Sequence, residues 1–89
     1  MLLILKVLPE GTEVDLEGLK SEIEKVIPEG FELEKNSFNT QDLAYGLKAL
    51  KFRCFSPNQE GVSDIIEDAL GNIEGVQRAE VELMSLTDK

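Results

Sequence analysis

Side chains that do chemistry are scarce in this sequence. Its 89 residues contain no histidine and a single cysteine, Cys54. A nucleophilic thiolate needs a histidine, a cation or a helix N-terminus nearby to lower its pKa. Cys54 lies instead in the apolar stretch 50–55 and reads as a small buried hydrophobe. One cysteine excludes an internal disulfide, and without histidine or further cysteine no structural zinc set can be assembled. Carboxylates are plentiful, but acid–base catalysis needs a pocket that raises a carboxyl pKa, and nothing in the pattern signals one. The phosphate-cradling G-x-x-x-x-G-K-[ST] loop is absent, so nucleotide binding of the P-loop kind is excluded. The expectation is a protein that acts by binding, with no catalytic residue, no metal and no cofactor.

Three groups remain as candidates for recognition. Tyr45, Gly46 and Lys48 fall together before a long apolar run. Tyrosine is enriched in interface hot spots, but Tyr45 reads equally as an aromatic packed on its own loop. Gly46 reads as a backbone requirement, a bulge or a positive φ. Lys48 reads as a contact or as a solvated lysine. Lys6, Lys51 and Arg53 form a second group, and the C-terminal stretch 84–89 is the third.

The charge balance restricts the partner. Eighteen Asp and Glu stand against nine Lys and Arg, a net charge of −9. Affinity for a phosphate backbone comes largely from cation–phosphate contacts. General binding to nucleic acid or an anionic membrane is therefore not expected, and a basic protein surface is favoured as partner. The N-terminal apolar stretch 1–8 is too short for a membrane span and lacks the basic start and cleavage site of a signal peptide. A cytosolic protein is expected, with the whole chain 1–89 as one domain.

These residues must be positioned by a few well-patterned elements. A branched apolar run predicts a central strand over 2–8, stopped by Pro9. Asp15 predicts an N-cap for a helix over 15–27, whose Leu16, Leu19, Ile23, Val26 and Ile27 recur at helical spacing. Alternation at Phe31, Leu33 and Lys35 predicts a half-exposed edge strand over 31–38, and residues 36–42 read as a loop beyond it. Residues 44–55 predict a long strand with Leu50, Phe52 and Cys54 on one face. A second helix is predicted over 63–73, starting at Ser63 or Asp64, with Asp64 and Glu67 resembling a capping box. A last strand is predicted over 76–83, followed by a tail from Met84.

The order β-α-β-β-α-β, with one apolar stripe per helix, predicts an α+β ferredoxin-like fold. It would have a four-stranded antiparallel sheet in spatial order 4-1-3-2 and both helices on one face. Leu3, Leu5, Leu19, Ile23, Leu50, Phe52, Ile66, Leu70 and Val81 would share the core. Lys6, Lys51 and Arg53 would gather on the open face.

Three segments carry a family resemblance over nearly the whole chain: VLPEGTEVDLEGLKSEIEKVIPEG, LAYGLKALKF at 43–52, and EGVSDIIEDALGNIEGVQRAEVE at 60–82. Together they resemble the archaeal elongation factor 1-beta family and are similar to the C-terminal exchange domain of its eukaryotic relatives. In the middle segment Tyr45, Gly46, Lys48 and Leu50 match a Tyr-Gly-x-Lys-x-Leu pattern in order and spacing. The resemblance implies guanine nucleotide exchange on elongation factor 1-alpha, a GTPase partner contacted without direct nucleotide binding. It also implies that the tail after the last strand reaches the Mg and phosphate site of that GTPase. Extending the match from Val76 and Gln77 places Met84 and Leu86 at the positions that act there. The second is a lysine in the relatives, and Lys89 is the cation left to replace it. Two other functions fit the same element order: an RNA-recognition motif, which reads bases with aromatics on the open sheet face, and a small-molecule regulatory or acylphosphatase-like module. The acylphosphatase type uses an arginine after the first strand, and residues 9–14 contain none.

Overall fold

A computed structural model describes residues 1–86. The elements follow in the order β1 (Leu2–Pro9), α1 (Leu16–Val26), β2 (Glu32–Leu33), β3 (Asn39–Asp42), β4 (Lys48–Phe55), α2 (Val62–Gly71) and β5 (Val76–Ser85). The architecture is α+β, with two helices and an antiparallel sheet, compatible with a ferredoxin-like fold.

The sheet departs from the expected four strands in order 4-1-3-2. It has five, in the order β2-β4-β1-β5, with β3 also paired to β4. The cause lies at the edge. Residues 31–38 do not run as one strand: β2 stops after two residues and a 3-10 turn follows at Lys35–Ser37. There the Ser37 hydroxyl takes the place of a ladder rung. It accepts the Arg53 N–H at 2.8 Å and donates to the Glu34 carbonyl at 2.6 Å. The chain then re-enters the sheet as β3, where a loop is expected, with Asn39 opposite Lys51 and Asp42 opposite Lys48.

Strands β1 and β4 are central, and alternation sorts their side chains cleanly. Leu3, Leu5 and Val7 of β1 and Leu50, Phe52 and Cys54 of β4 point inward and are fully or almost fully buried. Leu19 and Ile23 of α1 and Ile66 and Leu70 of α2 complete the same cluster. Both helices therefore cover one face. Of the expected core, Val81 alone is only partly buried, packed at the margin of the cluster.

Helix α1 is capped as its sequence indicates: Asp15 accepts the Glu17 N–H at 3.1 Å. It ends at Val26 rather than at residue 27. Ile27 precedes Pro28, and the proline ring disfavours helical backbone in the residue before it; Ile27 has ψ 124°. Helix α2 begins earlier than expected, at Val62. Its N-cap is Gly61, with φ 82° and no side-chain cap, and it ends at Gly71. The expected capping box is not formed. Ser63 and Asp64 already lie in the first turn, and Glu67 is turned to β5, where it accepts the Val81 N–H at 2.8 Å. The last strand continues through Ser85, so Met84 belongs to β5 and not to a free tail.

Phe52 is 1% exposed and its ring lies 5.1 Å from that of Phe38. Cutting it back to alanine removes both the burial and that contact. Phe52→Ala is expected to cost about 3–5 kcal/mol of stability, measured by urea unfolding; a loss below about 1 kcal/mol would contradict the inward placement.

Candidate partner-binding surfaces

The Tyr45–Lys48 motif is the tip of the hairpin joining β3 to β4. The Leu47 N–H donates to the Ala44 carbonyl at 3.3 Å, and the Leu43 N–H donates to the Leu47 carbonyl at 2.7 Å. Between them Tyr45 and Gly46 have φ of 62° and 79°. Positive φ at both central residues is the pattern of a type I′ turn. Glycine tolerates it without strain, which confirms the backbone reading of Gly46. Tyrosine does not: a left-handed L-residue costs roughly 1–2 kcal/mol. The long strand expected over 44–55 therefore begins only at Lys48.

Tyr45 is 96% exposed. Its ring does not pack on its own loop, so neither burial nor contact offsets the strain of its backbone. Behind the tip, Gly46 and Lys48 join Pro9, Gly11, Thr12 and Leu16 in lining a groove of about 240 Å³. The β1–α1 loop thus forms the other wall. Gly11 and Thr12, which line the groove, carry no periodicity or charge that would have marked them in the sequence.

The second set lies elsewhere. Met84 pairs with Leu3, near the start of β1, whereas the groove is built on Pro9 at its end. Six residues of strand, about 20 Å, separate the two. Met84 is 47% and Leu86 74% exposed, with half-exposed Leu83 beside them. The sequence-derived candidates therefore form two separate surfaces at opposite ends of the sheet. Lys89 lies outside the described residues.

The open face is not a free basic patch. Lys51 pairs with Glu82 at 2.8 Å and Arg53 with Glu34 at 2.8 Å. Lys6, directly opposite Lys51, has Glu80 on its other side. The Glu80 carboxyl is held below its usual range, chiefly by the hydrogen bond from Arg78, with the charge of Lys6 adding to it. Phe52 faces the helices, so it offers no ring on this face for stacking a base.

Cys54 is buried, and desolvation pushes its thiol from 9.0 up to about 11. Its burial agrees with the packing role expected for it. Among the described residues no group of three or more His, Cys, Asp or Glu is placed to hold a metal ion, and no helix is long and apolar enough to cross a membrane. Two exposed surfaces remain among the described residues, an aromatic hairpin tip and an apolar strand end.

The chain belongs to the EF-1 guanine nucleotide exchange domain family, which matches residues 2–86. It is 43% identical to elongation factor 1-beta of Staphylothermus marinus over 83 residues, 92% of this chain and 90% of that protein. It is 49% identical to elongation factor 1-beta of Sulfolobus acidocaldarius over 82 residues, 91% and 89% of the two chains. Against elongation factor 1-beta of Methanosphaerula palustris the identity is 41% over 85 residues, 96% and 94% of the two. The protein is a guanine nucleotide exchange factor of translation elongation.

Two measurements check this geometry. Replacing Tyr45 by glycine relieves the left-handed strain, so Tyr45→Gly is expected to keep or raise stability, by up to about 1 kcal/mol in urea unfolding. A loss above about 1 kcal/mol would mean that the ring packs in solution. The raised Cys54 pKa means the folded state holds the neutral thiol to higher pH than the unfolded chain. Its contribution is whole below pH 9.0 and is lost as pH rises toward about 11. Alkylation by iodoacetamide at pH 8 should accordingly follow global unfolding; rapid labelling of the native protein would contradict it.

Proposed function

We propose that this chain speeds release of GDP from elongation factor 1-alpha, acting in the cytoplasm as a single exchange domain over residues 1–89. The observation that carries the reading is the hairpin tip. Tyr45 is held almost fully exposed on a left-handed backbone, in the segment that carries the Tyr-Gly-x-Lys-x-Leu pattern. Strain of this kind persists where function requires it. The ring offers a large amphipathic contact area with only two side-chain torsions to fix on binding. Gly46 allows the turn, and Lys48 places an ammonium beside the groove for a carboxylate of the GTPase.

The exchange itself follows from linkage. A factor that binds the empty or Mg-stripped GTPase better than the loaded one lowers nucleotide affinity by the same factor. No side chain of the factor needs to touch the nucleotide for this. The strand end supplies the second contact, near the Mg site. Met84 suits an adaptable apolar pocket, and Leu86 adds apolar area but no charge. Lys89 is the one cation of the 84–89 stretch, and the acidic Asp88 precedes it in the sequence.

Stopped-flow release of labelled GDP from elongation factor 1-alpha tests the proposal, with acceleration expected and its absence at saturating chain rejecting it. Deleting residues 84–89 should impair exchange strongly, whereas Lys89→Ala should cost less than about tenfold, or about 1.4 kcal/mol. Abolition by Lys89→Ala would show that an ammonium does the displacing. A deletion without effect would leave the hairpin tip as the sole active surface.

A further inference from the structure

We infer that Glu67 is a positioning residue for exchange: by holding the Val81 amide it fixes the β-bulge at Glu82 and so sets which way the end of β5 presents Met84. The inference rests on the reading that this strand end touches the GTPase.

The register carries the argument. Leu5 pairs with Val81, but the next residue of β1, Ile4, pairs with Leu83. Glu82 is thus an extra residue on β5, and such an insertion reverses the alternation that follows it. Val81 shares the inward face with Leu5, and Glu82 lies on the open face, where Lys51 pairs with it at 2.8 Å. Plain alternation would then send Leu83 inward and Met84 outward. The bulge exchanges them: Leu83 joins Ile4 on the open face, and Met84 joins Leu3 on the helix face. A strand end with one edge free and exposed side chains specifies its own register weakly. A contact from outside the ladder would hold the irregularity in place.

Glu67 is placed to do so. Strand β5 pairs only with β1, and at the bulge the Val81 N–H turns to the Glu67 carboxylate of α2 at 2.8 Å. A charged acceptor on a backbone N–H is among the stronger hydrogen bonds of a protein. Glu67 is itself partly buried, and α2 is anchored one residue earlier by Ile66, which is fully buried. The carboxylate therefore transmits the position of the core to the strand end.

The test compares Glu67→Ala with Glu67→Gln in the full chain, since glutamine keeps a carbonyl acceptor. Both should stay folded by circular dichroism. Glu67→Ala should lose NMR contacts between the methyls of Met84 and Leu3 and lower the maximal rate of GDP release about tenfold. Glu67→Gln should keep both, with exchange within about twofold of the parent. Deleting Glu82 removes the extra residue and puts Met84 opposite Leu3 by plain alternation. In that background Glu67→Ala should cause no further slowing. Unchanged Met84–Leu3 contacts in Glu67→Ala, equal loss in both substitutions, or unfolding of Glu67→Ala alone would each overturn the positioning role. If the contacts are lost but deletion of 84–89 leaves exchange intact, the positioning holds while the strand-end contact with the GTPase fails.

Discussion

The packing of one sheet face against two helices governs everything else in this molecule. Six side chains of β1 and β4, among them Leu5 and Phe52, meet Leu19, Ile23, Ile66 and Leu70 in one cluster that excludes water. At about 25 cal/mol per Å² of apolar surface, each such side chain contributes on the order of 1.5–3 kcal/mol. A chain this short has no second core to fall back on. The two central strands are therefore fixed in register. A one-residue slip of β1 against β4 would turn Leu3, Leu5 and Val7 outward and bring Lys6 in.

That rigidity at the centre lets the periphery depart from regular structure. Both edges of the sheet contain an interruption, and in each a side chain takes up a backbone N–H. Ser37 accepts from Arg53 where β2 gives way to β3, and Glu67 accepts from Val81 beside the bulge of β5. A ladder group left unpaired would cost about 1–3 kcal/mol if buried. The substitutes remove that cost, and irregular backbone becomes available. On one edge it returns Phe38 to the core beside Phe52; on the other it redirects the last residues of the strand. Irregular edges also discourage pairing with the edges of other molecules.

What was legible in the sequence follows this division. Burial has a period, so the inward residues of β1 and β4, the stripes of both helices and the Asp15 cap could be read directly. The family could be read from the Tyr45–Leu50 pattern and its flanking segments. The edges could not. The break after Leu33 depends on a hydroxyl sixteen residues in sequence from the amide it satisfies, and no local propensity encodes that. Glu67 looked like half of a capping box, because its spacing from Asp64 fits one. The start of α2 at Val62 removed that role, and a long-range amide took it up. The left-handed Tyr45 was equally hidden, since its residue type argues for a strand. At Ser37 and Glu67 a tertiary contact overrode the local preference, whereas at Tyr45 the two-residue turn itself did so.

The two candidate surfaces draw on this architecture in different ways. At the hairpin tip the geometry is local: a two-residue turn closed by its own hydrogen bonds holds Tyr45, whatever the rest of the sheet does. At the other end the geometry is borrowed, since the direction of Met84 depends on a bulge and the bulge leans on a helix. An exchange factor lowers nucleotide affinity only by the difference between its own affinities for the loaded and the empty GTPase. Each 1.4 kcal/mol of that difference is a factor of ten. Contacts made equally to both states contribute to affinity and nothing to exchange. A rigid anchor at one end and a directed apolar strand end about 20 Å away would divide these tasks. On the function proposed above, the anchor would hold the factor to the GTPase in both states, and the strand end would meet only the state whose Mg site has opened. The sheet between them must not bend, or the preference for that state would be spent in deforming the factor. The core beneath it, twelve buried residues of which seven lie in strands and four in helices, resists bending because close-packed interiors deform little.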